Sequence, residues 1–241
     1  MTESALRVDN LTSGYGELTV LREVTLGVKP GEVLGVVGRN GAGKTALLRA
    51  IVGLNRVHAG SVSLDGVSLG NRRAARRAAD GIAFVQEGKR VFRRRTVEEN
   101  LVIGAYTARF GRAKMQAQID AAYDRFPFLR ERRNEPAAAL SGGQQQMLAI
   151  ASALMPRPSY VLLDEPTAGL APTIVGDILE TVRQLRADGI GVVLVEQSIE
   201  FALACADRLV VLDLGRVVER VDADAPGVRA TIADAYFART L

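Results

Sequence analysis

The chain has 241 residues, is 48% hydrophobic and 24% charged, and carries a formal charge of +4. That length fits one large domain or two small ones. The slight basic excess is no footprint for nucleic acid, so no nucleic-acid partner is expected, and no run approaches the ~18 apolar residues of a membrane-spanning helix. The opening, MTESALRVDN, has no basic stretch followed by an apolar one. The protein is therefore expected to be soluble, or held at a membrane by another component. Its single cysteine, Cys205, excludes an internal disulfide and suits a reducing cytoplasm.

Residues 6–11, 20–28 and 33–37 are short apolar or alternating runs broken by Gly14, Gly16, Pro30 and Gly31, and predict three strands. A helix is predicted from Lys44 to about Val52. Residues 61–64 predict another strand, closed by an Asp65-Gly66 turn, and His58, the only histidine, is expected on the surface in the turn before it. Arg72, Arg73, Arg76 and Arg77 have helical spacing and read as a solvated face. Residues 82–85 predict a short buried strand.

The middle of the chain reads as helical. Thr96-Val97-Glu98-Glu99 is a capping box, with Arg93, Arg94 and Arg95 before it as a further solvated run. Ser141 is predicted to open a second strong helix to about Leu154, stopped by Pro156 and Pro158. The last third alternates: strand 160–163, helix 173–186, strand 191–195, helix 199–205, strand 209–212. Such alternation means a parallel sheet covered by helices. With no internal repeat or linker, the chain is expected to be one α/β core with an N-terminal antiparallel layer and an inserted helical segment at about 87–156.

Three segments carry chemistry. Gly38-Arg39-Asn40-Gly41-Ala42-Gly43-Lys44-Thr45 fits the G-x-x-x-x-G-K-[ST] phosphate loop and lies between an apolar strand and a helical run, as that motif requires. Its glycines let backbone N–H groups approach phosphates, and the helix N-terminus adds partial positive charge. Lys44 is expected on the β- and γ-phosphates of ATP, and the Thr45 hydroxyl on Mg²⁺. Val161-Leu162-Leu163-Asp164-Glu165 is an apolar strand ending in two carboxylates. Asp164 is expected to hold Mg²⁺, mostly through water, and Glu165 to polarise the attacking water. In Leu140-Ser141-Gly142-Gly143-Gln144, two glycines open a helix where each costs roughly 0.5–1 kcal/mol against Ala. They make sense if the backbone must approach a ligand, with Ser141 and its neighbouring N–H groups facing a phosphate.

These three motifs occur in the order and spacing of ATP-binding cassette proteins, which the chain resembles over essentially its whole length. The resemblance implies a P-loop NTPase (RecA-like) core formed by 1–86 and 157–241 with the antiparallel β layer, and a helical subdomain at 87–156. It implies a head-to-tail pair of cassettes, with MgATP between one subunit's phosphate loop and the other's Ser141–Gln144 segment. Tyr15 matches the aromatic that stacks on adenine. In Phe84-Val85-Gln86-Glu87-Gly88-Lys89-Arg90-Val91-Phe92, either Gln86 or Glu87 matches the residue that touches Mg²⁺ and senses the membrane subunits. Two positions depart from the common pattern. Ala171 stands where an Asp usually contacts the partner's site. Gln197 stands where a His usually touches the γ-phosphate; either it suffices by positioning, or this site is the weaker of two.

Glu87–Phe92, Thr96–Leu101, Gln144–Ile150, Gly169–Pro172, Val195–Gln197 and Ala235-Tyr236 together resemble the smaller ATP-binding subunit of branched-chain amino-acid importers. That resemblance implies ATP-driven import at the cytoplasmic face of the membrane. The implied partners are a second, different cassette, two membrane permease subunits and, indirectly, a solute-binding protein. Arg93–Arg95 then have an alternative reading, against anionic headgroups or the permeases' cytoplasmic helices. Import of urea or short amides, and a soluble non-transport ATPase, are the alternative functions.

Overall fold

The computed structural model describes residues 5–88 and 90–237. Lys89, in the segment around Gln86 and Glu87, lies outside the described residues. Four strands near the N-terminus, β1 (Leu6–Tyr15), β2 (Leu18–Val28), β4 (Val57–Leu64) and β5 (Val67–Ser68), form one antiparallel sheet in the order β2-β1-β4-β5. The remaining strands, β3 (Val33–Val37), β6 (Ile82–Val85), β7 (Tyr160–Asp164), β8 (Gly191–Glu196), β9 (Arg208–Asp213) and β10 (Arg216–Asp222), form a second sheet in the order β10-β9-β3-β8-β7-β6. It is parallel except for the β9–β10 hairpin.

The helices are α1 (Lys44–Ile51), α2 (Ala74–Ala79), α3 (Val97–Gly104), α4 (Arg112–Arg125), α5 (Pro127–Glu131), α6 (Gly142–Leu154), α7 (Pro172–Ala187), α8 (Ile199–Cys205) and α9 (Val228–Phe237). The second sheet is a septum between two cores. Val161, Leu163, Val192, Leu194 and Val211 point into a core shared with α3, α6, α7 and α8. Their neighbours Leu162, Val193, Val195, Val210 and Leu212 point the other way, into a core with α1 and the antiparallel sheet. This period of two, with both faces covered, is why β3, β7 and β8 are buried along their whole length and read as apolar runs, with carboxylates only at the last residues of β7 and β8.

The predicted strand 33–37, strand 82–85 and helix 199–205 match the structure. At three places it corrects the expectations. β1 continues through Gly14, because its pairing brings the Leu18 carbonyl within 1.8 Å of where a Cβ on residue 14 would lie; glycine here permits the strand to persist. β4 begins at Val57, so exposed His58 lies in a strand, with Nε2 3.1 Å from the Gly16 carbonyl, and not in a turn. Arg77 does not belong to a solvated face. It is 2% exposed and donates to the carbonyls of Ala50, Ile51, Gly70 and Arg72 at 2.7–3.1 Å. Two of those carbonyls, Ala50 and Ile51, close the C-terminus of α1, where cations are favoured. The Thr96 capping box forms as predicted: Thr96 accepts from Glu99 N–H at 3.1 Å, and Glu99 accepts from Thr96 N–H at 2.7 Å.

Candidate functional site

Parallel register decides which residues meet. Val37, the last residue of β3, lies opposite Glu196 of β8, and Asp164, the last of β7, lies opposite Val195. The chain segments leaving β3, β7 and β8 therefore emerge side by side at one sheet edge. They begin with Gly38, Glu165 and Gln197, and such a carboxyl-end crevice is where open α/β sheets bind ligands.

Gly38–Thr45 wraps from β3 into α1. Gly43 is the N-cap of α1, with φ +106°, a conformation open to glycine and costly for other residues. Gly38, Ala42 and Lys44 are buried, Gly43 and Thr45 half-buried, and Arg39, Asn40 and Gly41 exposed. Lys44 Nζ donates to the Gly38 carbonyl at 2.8 Å and the Arg39 carbonyl at 3.3 Å, and pairs with Glu165 Oε1 at 3.3 Å. The other oxygen of Glu165, Oε2, accepts from Gln197 Nε2 at 2.7 Å. One carboxylate is thus held by a cation on one side and a neutral amide on the other.

Thr45 Oγ1 donates to Asp164 Oδ1 at 3.1 Å. Burial pushes the Asp164 carboxyl up to about 6; the charges of Glu165 and Glu87 add to the rise, while Thr45 and Lys44 oppose it. Glu87 is therefore close enough for Asp164 to feel its charge. Gln86 is half-buried directly after β6, and Glu87 is exposed in the following turn. A hydroxyl beside a buried carboxylate, with the charges of Glu165 and Glu87 near, fits Mg²⁺, a hard cation that takes oxygen ligands. Among the described residues no three His, Cys, Asp or Glu side chains cluster into a metal cage. Mg²⁺ commonly takes a few protein oxygens and completes its shell with water and phosphate.

Tyr15 ends β1, is 47% exposed, and has the Arg49 guanidinium carbon 5.9 Å from its ring centroid. Its ring offers a partly open aromatic surface, backed by a cation.

Ser141 caps α6. Its hydroxyl accepts from Gln144 N–H at 3.2 Å, and Gln144 Oε1 accepts from Ser141 N–H at 3.0 Å and from Arg132 at 2.9 Å. The cap uses the hydroxyl only as an acceptor, so its proton is available to an anion. Gly142 is exposed, while Gly143 is buried, and a Cβ on Gly143 would lie 2.6 Å from the Ile174 side chain of α7. Close helix packing is thus a reason for Gly143 that the ligand-approach expectation did not include. Among the described residues no hydrogen bond or ion pair joins Ser141–Gln144 to Gly38–Thr45. The sheet edge unites Lys44, Thr45, Asp164, Glu165 and Gln197, and leaves the Ser141 segment outside that network.

Ala171 is the N-cap of α7 and makes no side-chain cap. Two residues at this edge escaped the sequence reading: Glu196, which is 3% exposed, and Thr167, which bonds to it. The available signal was a lone carboxylate ending an otherwise apolar strand.

Residues 21–168 match the ABC transporter family. The chain is 42% identical over 231 residues to the high-affinity branched-chain amino acid transport ATP-binding protein BraG of Pseudomonas aeruginosa, covering 96% of this chain and 98% of that one. It is 37% identical to the L-cystine transport system ATP-binding protein TcyN of Escherichia coli, covering 92% of each. Its fold superimposes on the ADP conformation of MJ1267, an ATP-binding cassette of an ABC transporter, with a TM-score of 0.83 at 27% identity, covering 98% of this chain and 99% of that one. No helix among the described residues is long and apolar enough to cross a membrane.

Proposed function

Because this chain belongs to the ABC transporter family of ATP-binding cassettes, we propose that it hydrolyses MgATP as the motor subunit of a branched-chain amino-acid importer. The observation that carries the enzymatic reading is the Glu165 carboxylate, held between Lys44 and Gln197 where the phosphate loop leaves β3.

The residues divide the work. Backbone N–H groups of the loop and the Lys44 ammonium offset phosphate charge. Thr45 and Asp164, with Glu87 or Gln86 beside them, would hold Mg²⁺, which when bound neutralises phosphate charge. Glu165 accepts a proton from the attacking water, and Gln197 fixes the orientation of that carboxylate. Tyr15 stacks on the adenine. Ser141, Gly142, Gly143 and Gln144 serve the nucleotide of a second cassette, and 87–156 is the helical subdomain that presents them on a core of 1–86 and 157–241. Ala171 and Gln197 favour a different cassette as the partner, giving a heterodimer. Two permease subunits hold the pair at the cytoplasmic face of the membrane, and a solute-binding protein delivers the solute.

Branched-chain amino acids are favoured by the 42% identity to BraG. The 37% identity to an L-cystine system supports a second reading, an importer of another small solute, with urea and short amides included in it. Co-expression with the neighbouring genes tests both. A complex with a second cassette and two polytopic subunits is expected, and in proteoliposomes it should take up leucine, isoleucine or valine with ATP. Uptake of L-cystine, urea or a short amide alone would replace the solute and keep the motor. Assembly with nucleic acid and never with membrane subunits would overturn the transport reading.

A further inference from the structure

Glu196 closes β8, a strand whose six residues are all buried and whose other five are apolar or glycine. It is 3% exposed, and among the described residues no Lys or Arg pairs with it. A buried carboxylate without a cation is costly unless hydrogen bonds hold it. Its Oε1 accepts two from one residue: the Thr167 N–H at 3.1 Å and the Thr167 hydroxyl at 2.7 Å. Burial pushes its pKa up, while those bonds and the Gln197 backbone N–H oppose the rise.

Thr167 lies two residues beyond Glu165. The Glu165 backbone sits at φ +45°, in the left-handed region that non-glycine residues occupy only when their surroundings enforce it. The chain then makes two tight turns, with Ala168 N–H donating to the Glu165 carbonyl and Leu170 N–H to the Thr167 carbonyl, both at 3.2 Å. Three bonds fasten this segment to the end of β8: Glu165 N–H to the Val195 carbonyl at 3.0 Å, and the pair from Thr167 to Glu196. Gln197, next in sequence to Glu196, closes the ring by donating to Glu165 Oε2.

We propose that Glu196 and Thr167 form a clasp that sets the Glu165 carboxylate in its place between Lys44 and Gln197. Glu196 is then a positioning residue for ATP hydrolysis. The inference rests on the ATPase reading above. Small displacements of a catalytic group lower the chemical step and leave substrate binding at remote contacts largely intact. The signature is therefore a fall in kcat without a rise in KM.

The test is steady-state ATPase kinetics on the assembly purified through a tag on this chain, with Thr167→Val, Thr167→Ser, Glu196→Gln and the Thr167→Val/Glu196→Gln double variant. Thr167→Val is expected to lower kcat about tenfold or more with KM for ATP within about twofold of wild type, and Thr167→Ser to restore kcat. The double variant should fall no further than the worse single one, as for two parts of one device. If Glu196→Gln does not fold, the Val/Ser pair at half-buried Thr167 decides alone. Thr167→Val with wild-type kcat, a raised KM at unchanged kcat, or losses that multiply would overturn the clasp. Failure of the ATPase reading looks different: the wild-type assembly would show no turnover that depends on Lys44, and the clasp would fall with it.

Discussion

The Gln197 amide donates to Glu165 Oε2 at 2.7 Å, on the opposite side of that carboxylate from Lys44. An amide does not titrate, so this contact is independent of pH near neutrality, whereas an imidazole in its place would change charge.

Gln197→His is expected to keep or raise ATP turnover near pH 8, where a neutral imidazole can still donate one hydrogen bond. As pH falls through the imidazole pKa, ordinarily about 6.5, an imidazolium would pair with Glu165 and weaken it as a base. Turnover should then drop more steeply on the acid side in the variant than in the wild type, where the Asp164 carboxyl is raised to about 6, as read from kcat between pH 6 and 8.5. A severe loss at every pH would show that the amide itself is required.

Lys44→Ala removes the ammonium that reaches Gly38, Arg39 and Glu165. A charge-assisted contact contributes about 1.5–3 kcal/mol, so ATP affinity should fall roughly 10- to 100-fold, with hydrolysis lost. Titration with a fluorescent ATP analogue measures it. Wild-type affinity and turnover in this variant would contradict the assignment of the phosphate loop.

Arg77→Met keeps an unbranched apolar stem and deletes the guanidinium donors to Ala50, Ile51, Gly70 and Arg72, of which, among the described residues, Ala50 alone keeps a second donor, the Gly53 N–H. Leaving buried carbonyls unpaired should cost about 2–4 kcal/mol, which lowers Tm by roughly 5–15 °C in a chain of this size. A thermal melt checks this. A change within about 1 °C would mean that water replaces the guanidinium at no cost.

Cys205 is buried, and its thiol donates to the Phe201 carbonyl at 3.3 Å. Burial pushes it up to about 12. A folded-state pKa above the unfolded value favours folding fully at pH below the ordinary thiol value of about 8.5, and the benefit shrinks as pH rises beyond it. Ellman's reagent at pH 8 should therefore label the native chain slowly and the guanidinium-unfolded chain at once. Fast native labelling would contradict the burial.

Much of the scaffold was legible because strands covered on both faces read as short apolar runs: residues 33–37 inside the sheet and 82–85 at its edge, each with glycine or proline close by. β1 and β4 extend past the predicted strands because residues 12–15 and 57–60 mix polar, small and glycine residues, so no apolar pattern marks them. Lys44, Thr45, Asp164, Glu165 and Gln197 each follow or end an apolar strand, and parallel register brings such ends together. Arg77 was misread because a charge run shows its spacing and not the carbonyls waiting at the end of another helix. Glu196 was passed over for a related reason: its partner Thr167 lies 29 positions earlier in the chain, and only the turns after Glu165 bring the two together.

The most direct measurement is single-turnover release of phosphate from radiolabelled ATP by the assembly carrying Glu165→Gln in this chain alone. If Glu165 is the group that accepts the proton of the attacking water, ATP should still bind while release from this chain's site slows by about 100-fold or more. An unchanged rate of release would contradict that role and move the hydrolytic site elsewhere in the assembly.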